Sequence, residues 1–181
     1  MSMSNEQELI ALLRNATTQE AGYRMLVRDY GKQLYWQIRK MVLDHDDAHD
    51  VLQNVFVKIF KGFHNFKADS KLSTWLFRIA YNESITFLTI KAKTLKVSSQ
   101  ELQYHLVNSL EADVYFTGDQ IQLELQKALA TLPERQKEIF NMRYYDGLKF
   151  QDIASILNLS EGAVKSSYHI AAKKIEAFVI K

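Results

Sequence analysis

Apolar residues in this chain recur every three or four positions almost from end to end, the spacing of one face of an α-helix. Leu9, Ile10, Leu12 and Leu13 mark a short amphipathic opening between Asn5 and Arg14. From Glu20 to Val42, Met25, Leu26, Tyr30, Leu34, Ile38 and Met41 keep the spacing, and Tyr23, Tyr35 and Trp36 add aromatic bulk. This predicts a core helix or a helix pair, with Gly31 offering a place for a break. Asp44, Asp46 and Asp47 then crowd a helix start, where carboxylates cap free amides and oppose the helix dipole. The apolar face that follows is Ala48, Val51, Leu52, Val55, Ile59 and Phe63. A polar, basic and aromatic loop from Lys61 to Ser73 interrupts it. Ser73 is placed to cap a helix running through Trp75 to about Thr89, with Leu72, Leu76, Ile79, Ala80 and Phe87 on its inner side and Glu83 the odd member.

From Lys91 to about Gln120 the periodicity weakens, and Val97-Ser98-Ser99 and Phe116-Thr117-Gly118-Asp119 punctuate it; a linker with one frail helical segment is expected. Ile121, Leu125, Leu129 and Leu132 then form a helix that Pro133 ends, since proline disfavours helix at the residue before it. Ile139, Phe140, Met142 and Tyr144 mark the next helix, which stops at the turn signal Asp146-Gly147. In Phe150 to Lys174, Ile153, Ile156 and Leu157 precede Asn158-Leu159-Ser160. Asn tolerates the left-handed backbone of a helix end, and Ser160 ahead of Glu161 is an N-cap signal. Val164, Tyr168, Ala171 and Ile175 form one stripe beyond it. Two short helices with a tight turn between them make a helix-turn-helix. The fold class is all-α: two small helical domains, residues 1–91 and 121–181, joined by a flexible linker over 92–120. No internal repeat is present.

Composition narrows the function without naming it. One proline and six glycines in 181 residues agree with helices throughout. The absence of cysteine excludes disulfides, thiolate zinc sites and thiol chemistry. The opening MSMSNEQELI lacks the basic and apolar regions of a signal peptide, and no run approaches the roughly 20 apolar residues of a membrane span, so a cytoplasmic protein is expected. Net charge is only +2. Residues 1–91 carry 12 basic and 10 acidic groups, residues 92–120 carry 2 and 4, and residues 121–181 carry 9 and 7. A DNA binder with so little charge binds weakly alone and relies on a partner.

Three faces carry candidate chemistry. On the Asp44–Phe63 helix, Asp50, Gln53, Asn54 and Val57 lie opposite the apolar side; an exposed valine among compact hydrogen-bonding groups suits protein docking, or the face is merely solvated. Trp75, Arg78 and Asn82 share a stripe beside the loop that holds His64, Asn65, Phe66 and Lys67. An aromatic, a guanidinium and an amide together suit unstacked bases, although Trp75 and Phe66 taken singly read as core residues and Arg78 as a surface cation. On the last helix, Gly162, Ser166, His169 and Lys173, with Lys165 at the edge, oppose the apolar stripe, a small, polar and basic surface fit for a DNA groove. His45 and His49 are four apart, as are Asp46 and Asp50, yet the pairs point about 100° apart, and no metal site is expected. There is no catalytic triad and no phosphate-binding glycine loop; no catalysis and no cofactor are expected.

Three stretches in this order resemble bacterial sigma factors of the extracytoplasmic-function type: DDAHDVLQNVFVKIF, LSTWLFRIAYN, and LPERQKEIFNMRYYDGLKFQDIASILNLSEGAVKSSYHIAAKKI. The third alone would also fit response-regulator helix-turn-helix domains; the first two in tandem ahead of it are more specific. The resemblance implies that Asp50, Gln53 and Asn54 dock on the clamp helices of the polymerase largest subunit, with many members acidic where Asn54 stands. It implies that the loop from Phe63 to Lys71, with Phe66, and Trp75, Arg78 and Asn82 engage the −10 element and hold an extruded base. It implies that Lys165, Ser166 and His169 read the −35 element. Ser167 and Ile170 stand where many members have arginine, so a different promoter preference is expected. Core RNA polymerase, promoter DNA and an anti-sigma protein are the implied partners. The competing reading is a stand-alone helix-turn-helix regulator with an N-terminal dimerisation or effector domain.

Overall fold

A computed structural model of the chain describes residues 3–110 and 120–179, and within them the regular structure is helical. The order is α1 (Met3–Arg14), α2 (Gln19–Val42), α3 (His45–Gly62), a single 3-10 turn over Phe63–Asn65, α4 (Leu72–Leu95), α5 (Ser99–Ser109), α6 (Gln120–Ala130), α7 (Glu134–Tyr144), α8 (Phe150–Leu157) and α9 (Glu161–Val179). No helix among the described residues is long and apolar enough to cross a membrane.

Helices α1 to α4 enclose the first core, in which Leu9, Leu26, Leu34, Ile38, Val55, Ile59, Leu72 and Leu76 are completely buried. Helix α2 passes Gly31 without a break, with the Phe56 ring beside it. One glycine costs a helix about 1 kcal/mol, less than burial of any of the large side chains on this helix returns. At Gly22 a Cβ would stand 3.0 Å from the Leu13 amide nitrogen, so glycine permits the close crossing of α1 and α2. The turn into α3 uses Leu43 in the left-handed region, φ 60°, and the Asp44 carboxylate accepts the Asp47 N–H at 2.9 Å, the cap its sequence signals.

Two expectations need correction. Ser73 does not cap α4: the helix begins one residue earlier, at the fully buried Leu72, whose N–H donates to the Glu6 carboxylate of α1 at 2.9 Å. A side chain 66 positions away supplies the cap. Nor does α4 end near Thr89. It runs to Leu95 because Ala92 is buried against Leu43, Leu102 and Leu106, and Lys91 pairs with Asp47 of α3. The frail helix expected in the linker is α5, closed by a full capping box in which Ser98 Oγ accepts from Glu101 N–H and Glu101 Oε2 accepts from Ser98 N–H. The punctuation at Phe116-Thr117-Gly118-Asp119 lies outside the described residues.

Helices α6, α7 and α9 close a second core of Leu129, Leu132, Phe140, Ala171 and Ile175. Pro133 sits at the N-cap of α7, and Gly147 takes φ +64° after its end, as the turn signal requires. The two halves of the chain are packed together. Ile139, Met142, Ile153 and Ile156, from α7 and α8, belong to the same continuous apolar core as α2, α3 and α4.

Candidate nucleic-acid interface

The helix-turn-helix is built as its sequence predicts. Asn158 adopts φ 54° and its N–H closes on the Ala154 carbonyl, and Ser160 Oγ accepts from Ala163 N–H at 3.2 Å. Val164 and Ala171 are wholly buried and Ile175 nearly so. Rotation by about 100° per residue then turns Lys165, Ser166, His169 and Lys173 outward, and all four are exposed. Lys165 Nζ lies 2.7 Å from Glu161 Oε1, an exposed pair of small energetic weight that a phosphate can replace.

On α3, Asp50, Gln53, Asn54 and Val57 are all exposed on one face, Val57 to 49%. Phe60 extends that face with 57% exposure, its ring 4.7 Å from that of Tyr23. Phe60 is absent from the face expected above, and its place three residues beyond Val57, off the Val55–Ile59 stripe, is the sequence signal that marks it as exposed.

The third face differs from expectation. Phe66 is only 4% exposed, within the core rather than on the surface. Its ring lies 5.7 Å from Phe63 and 5.3 Å from Trp75, and its carbonyl accepts from Arg14 Nη2 at 3.2 Å. An apolar ring at the open end of a bundle gains more by closing the core than by standing in water. Trp75 is half-buried on top of this pair, and Asn82 is exposed. Arg78 points at the other half of the chain, where its Nη2 donates to Ser155 O at 2.8 Å and Ser155 Oγ at 2.7 Å on α8. The first helix of the helix-turn-helix therefore meets the stripe of Trp75, Arg78 and Asn82 at Arg78.

Polar contacts fasten the two halves. Lys40 Nζ meets Asp146 Oδ1 at 2.7 Å, with the carboxylate side chain 6% exposed and the lysine 19%, and Lys40 also lies 4.7 Å from the Tyr145 ring centre. Burial pushes the Asp146 carboxyl above its ordinary range, and Lys40 offsets part of that. Burial likewise raises the Glu138 carboxyl, opposed by its hydrogen bond with Tyr81 of α4, and lowers the Lys137 ammonium, which donates to Gln103 of α5 at 2.8 Å.

His45 and His49 meet edge to face with ring centres 4.6 Å apart, and Tyr35 Oη lies 2.9 Å from His45 Nδ1. Among the described residues, no three His, Asp or Glu side chains converge as a metal site.

Residues 26–94 match the family model for Sigma-70 region 2, and residues 122–175 match that for Sigma-70, region 4. The chain belongs to the sigma-70 family. It is 24% identical to the RNA polymerase sigma-H factor of Pseudomonas aeruginosa over 184 residues, covering 97% of this chain and 94% of that protein. It is 26% identical to the ECF RNA polymerase sigma-E factor of Haemophilus influenzae, covering 85% of each. Such relatives place this sigma factor in the extracytoplasmic-function group. Its fold is similar to that of the sigma factor RpoE of Bartonella quintana, solved in complex with the anti-sigma factor NepR, at TM-score 0.64 and 19% identity over 98% of each chain. In this sigma factor the region 2 match starts inside α2 and ends inside α4, and the region 4 match runs from α6 into α9. Helices α1 and α5 lie outside both, although α1 supplies the cap of α4.

Proposed function

We propose that this sigma factor binds core RNA polymerase and directs it to promoters by reading a −10 element with region 2 and a −35 element with region 4. The observation that carries the reading is the pairing, in one chain, of both regions with an exposed, basic recognition face on α9. The α3 face of Asp50, Gln53, Asn54 and Val57, extended by Phe60, docks on polymerase. Trp75, Arg78 and Asn82 take the melted −10 strand, stacking and hydrogen-bonding an unstacked base. Phe66 supports Trp75 from beneath instead of touching DNA. Lys165, Ser166, His169 and Lys173 enter the groove at −35. The protein acts by binding, and polymerase performs the catalysis.

Geometry adds a requirement. The −10 and −35 elements lie about 25 base pairs apart, roughly 85 Å at 3.4 Å per pair. Helix α4, with 24 residues, is about 36 Å long, and α8 is hydrogen-bonded to its second turn. Both DNA faces cannot reach their elements while α8 sits on Arg78. The packed arrangement is thus that of the free protein, and the two regions separate on polymerase. The surfaces so uncovered are partly apolar, and a protein of the anti-sigma kind is a fitting partner for them.

The test is transcription from a promoter library with purified core polymerase, with and without the protein. Enrichment of one promoter class only when both are present is expected. A protein that dimerises and protects an inverted repeat without polymerase would instead be a stand-alone regulator.

A further inference from the structure

The recognition face of α9 divides into two ridges. Lys165, His169 and Lys173, spaced at i, i+4 and i+8, form a basic one. Gly162, Ser166 and Ile170 form a neutral one beside it, all three exposed. The cation one turn beyond Ile170 along the neutral ridge, Lys174, has its Nζ turned back onto Gln136 Oε1 at 3.2 Å. Ile170 is 47% exposed, on the side of the helix away from Val164, Ala171 and Ile175. A single exposed apolar residue is ordinary on a protein surface. Here it stands in the face that enters the groove, one turn beyond Ser166 and next to His169. A β-branched residue lowers helix propensity, so the position gains nothing from isoleucine as a helix former. The side chain is also stiff at χ1, which holds its methyl groups in one direction. In the major groove the apolar feature on a base edge is the 5-methyl group of thymine.

We infer that Ile170 is a specificity-determining residue that packs against a thymine 5-methyl group in the −35 element, with Ser166 hydrogen-bonding an adjacent base edge. The inference rests on the reading of region 4 as the −35 reader. It gives this sigma factor a preference for thymine at a position where an arginine would select guanine through its O6 and N7 acceptors.

The experiment uses the complete protein with core polymerase on the best promoter from the library. Each thymidine of its −35 element is replaced in turn by deoxyuridine, which removes only the methyl group. Loss of one methyl contact lowers initiation about fourfold at one position for the unaltered protein. Ile170→Ala initiates less well on the thymidine promoter and shows no further loss with deoxyuridine there. Ile170→Arg shifts the preferred base at that position towards guanine. If no deoxyuridine matters, or Ile170→Ala keeps the same methyl dependence, the inference is wrong. A loss on Ile170→Ala that is equal on both templates also overturns it and assigns Ile170 to a protein contact. Failure of the underlying reading looks different: base changes anywhere in the upstream element, and Lys165→Ala with Ser166→Ala, would then leave initiation unchanged. Since Ile170 is half exposed, the variants are expected to fold, and an unchanged helical spectrum and thermal midpoint check this.

Discussion

The contact between Lys40 and Asp146 is the sharpest place to test whether packing of region 4 on region 2 holds the free protein closed. Asp146→Asn keeps the shape of the side chain and removes its charge. The pair is 2.7 Å apart, with the carboxylate nearly inaccessible and the lysine 19% exposed. Removing one partner of a buried pair costs about 3–5 kcal/mol when the survivor stays buried and unpaired. Lys40 is partly hydrated and retains the Tyr145 ring, so the loss falls below that range, at about 2 kcal/mol, or roughly 30-fold in the closed-to-open ratio. The high cost of burying the Asp146 charge also pulls the figure down. The chain has no native cysteine, so cysteines at the exposed Ala16 and Ala177 can carry a fluorescent donor and acceptor. Asp146→Asn should move molecules from a high-transfer to a low-transfer population, and the charge reversal Lys40→Asp with Asp146→Lys should restore the first. Transcription at limiting protein should rise in the single variant, because less binding energy goes into separating the regions. An unchanged transfer distribution would refute the reasoning, as would opening that the reversed pair fails to undo.

Other predictions follow from the same contacts. Glu138 holds its proton more tightly in the folded chain than in the unfolded one, because burial raises it. Its stabilising contribution is therefore complete below the ordinary carboxylate range and lost as pH rises through the raised value; Glu138→Gln should flatten that slope, read by unfolding scans from about pH 4 to 8. Val57→Asp adds a charge to a half-exposed apolar position and should weaken binding to core polymerase at least tenfold, or about 1.4 kcal/mol, with an unchanged thermal midpoint. Equal affinity in a polymerase pull-down titration would remove the α3 face from the docking surface. Lys165→Ala should lower initiation on all promoters alike and reduce the salt slope of promoter binding by about one. A loss confined to one −35 sequence would make Lys165 a base reader instead.

Much of this protein is local information, and local information is what a periodic sequence displays. The Asp44 cap, the left-handed Asn158, the Ser160 cap and the outward turn of Lys165, Ser166, His169 and Lys173 all follow from neighbours within a few residues, and each is found as read. The exposed α3 face was legible for the same reason. The remainder was settled by residues far away in the chain. Glu6 caps α4 across 66 positions, which displaced Ser73 from that role. Phe66 could line either a core or a DNA surface by its spacing, and the meeting of Phe63 and Trp75 around it chose the core. Arg78 shares a helical stripe with Trp75 and Asn82, but Ser155, 77 residues later, decides what it touches. Helical spacing tells which residues share a face because it depends on one rotation per residue. What covers that face depends on how distant helices bury their apolar area together, and only the tertiary structure decides that.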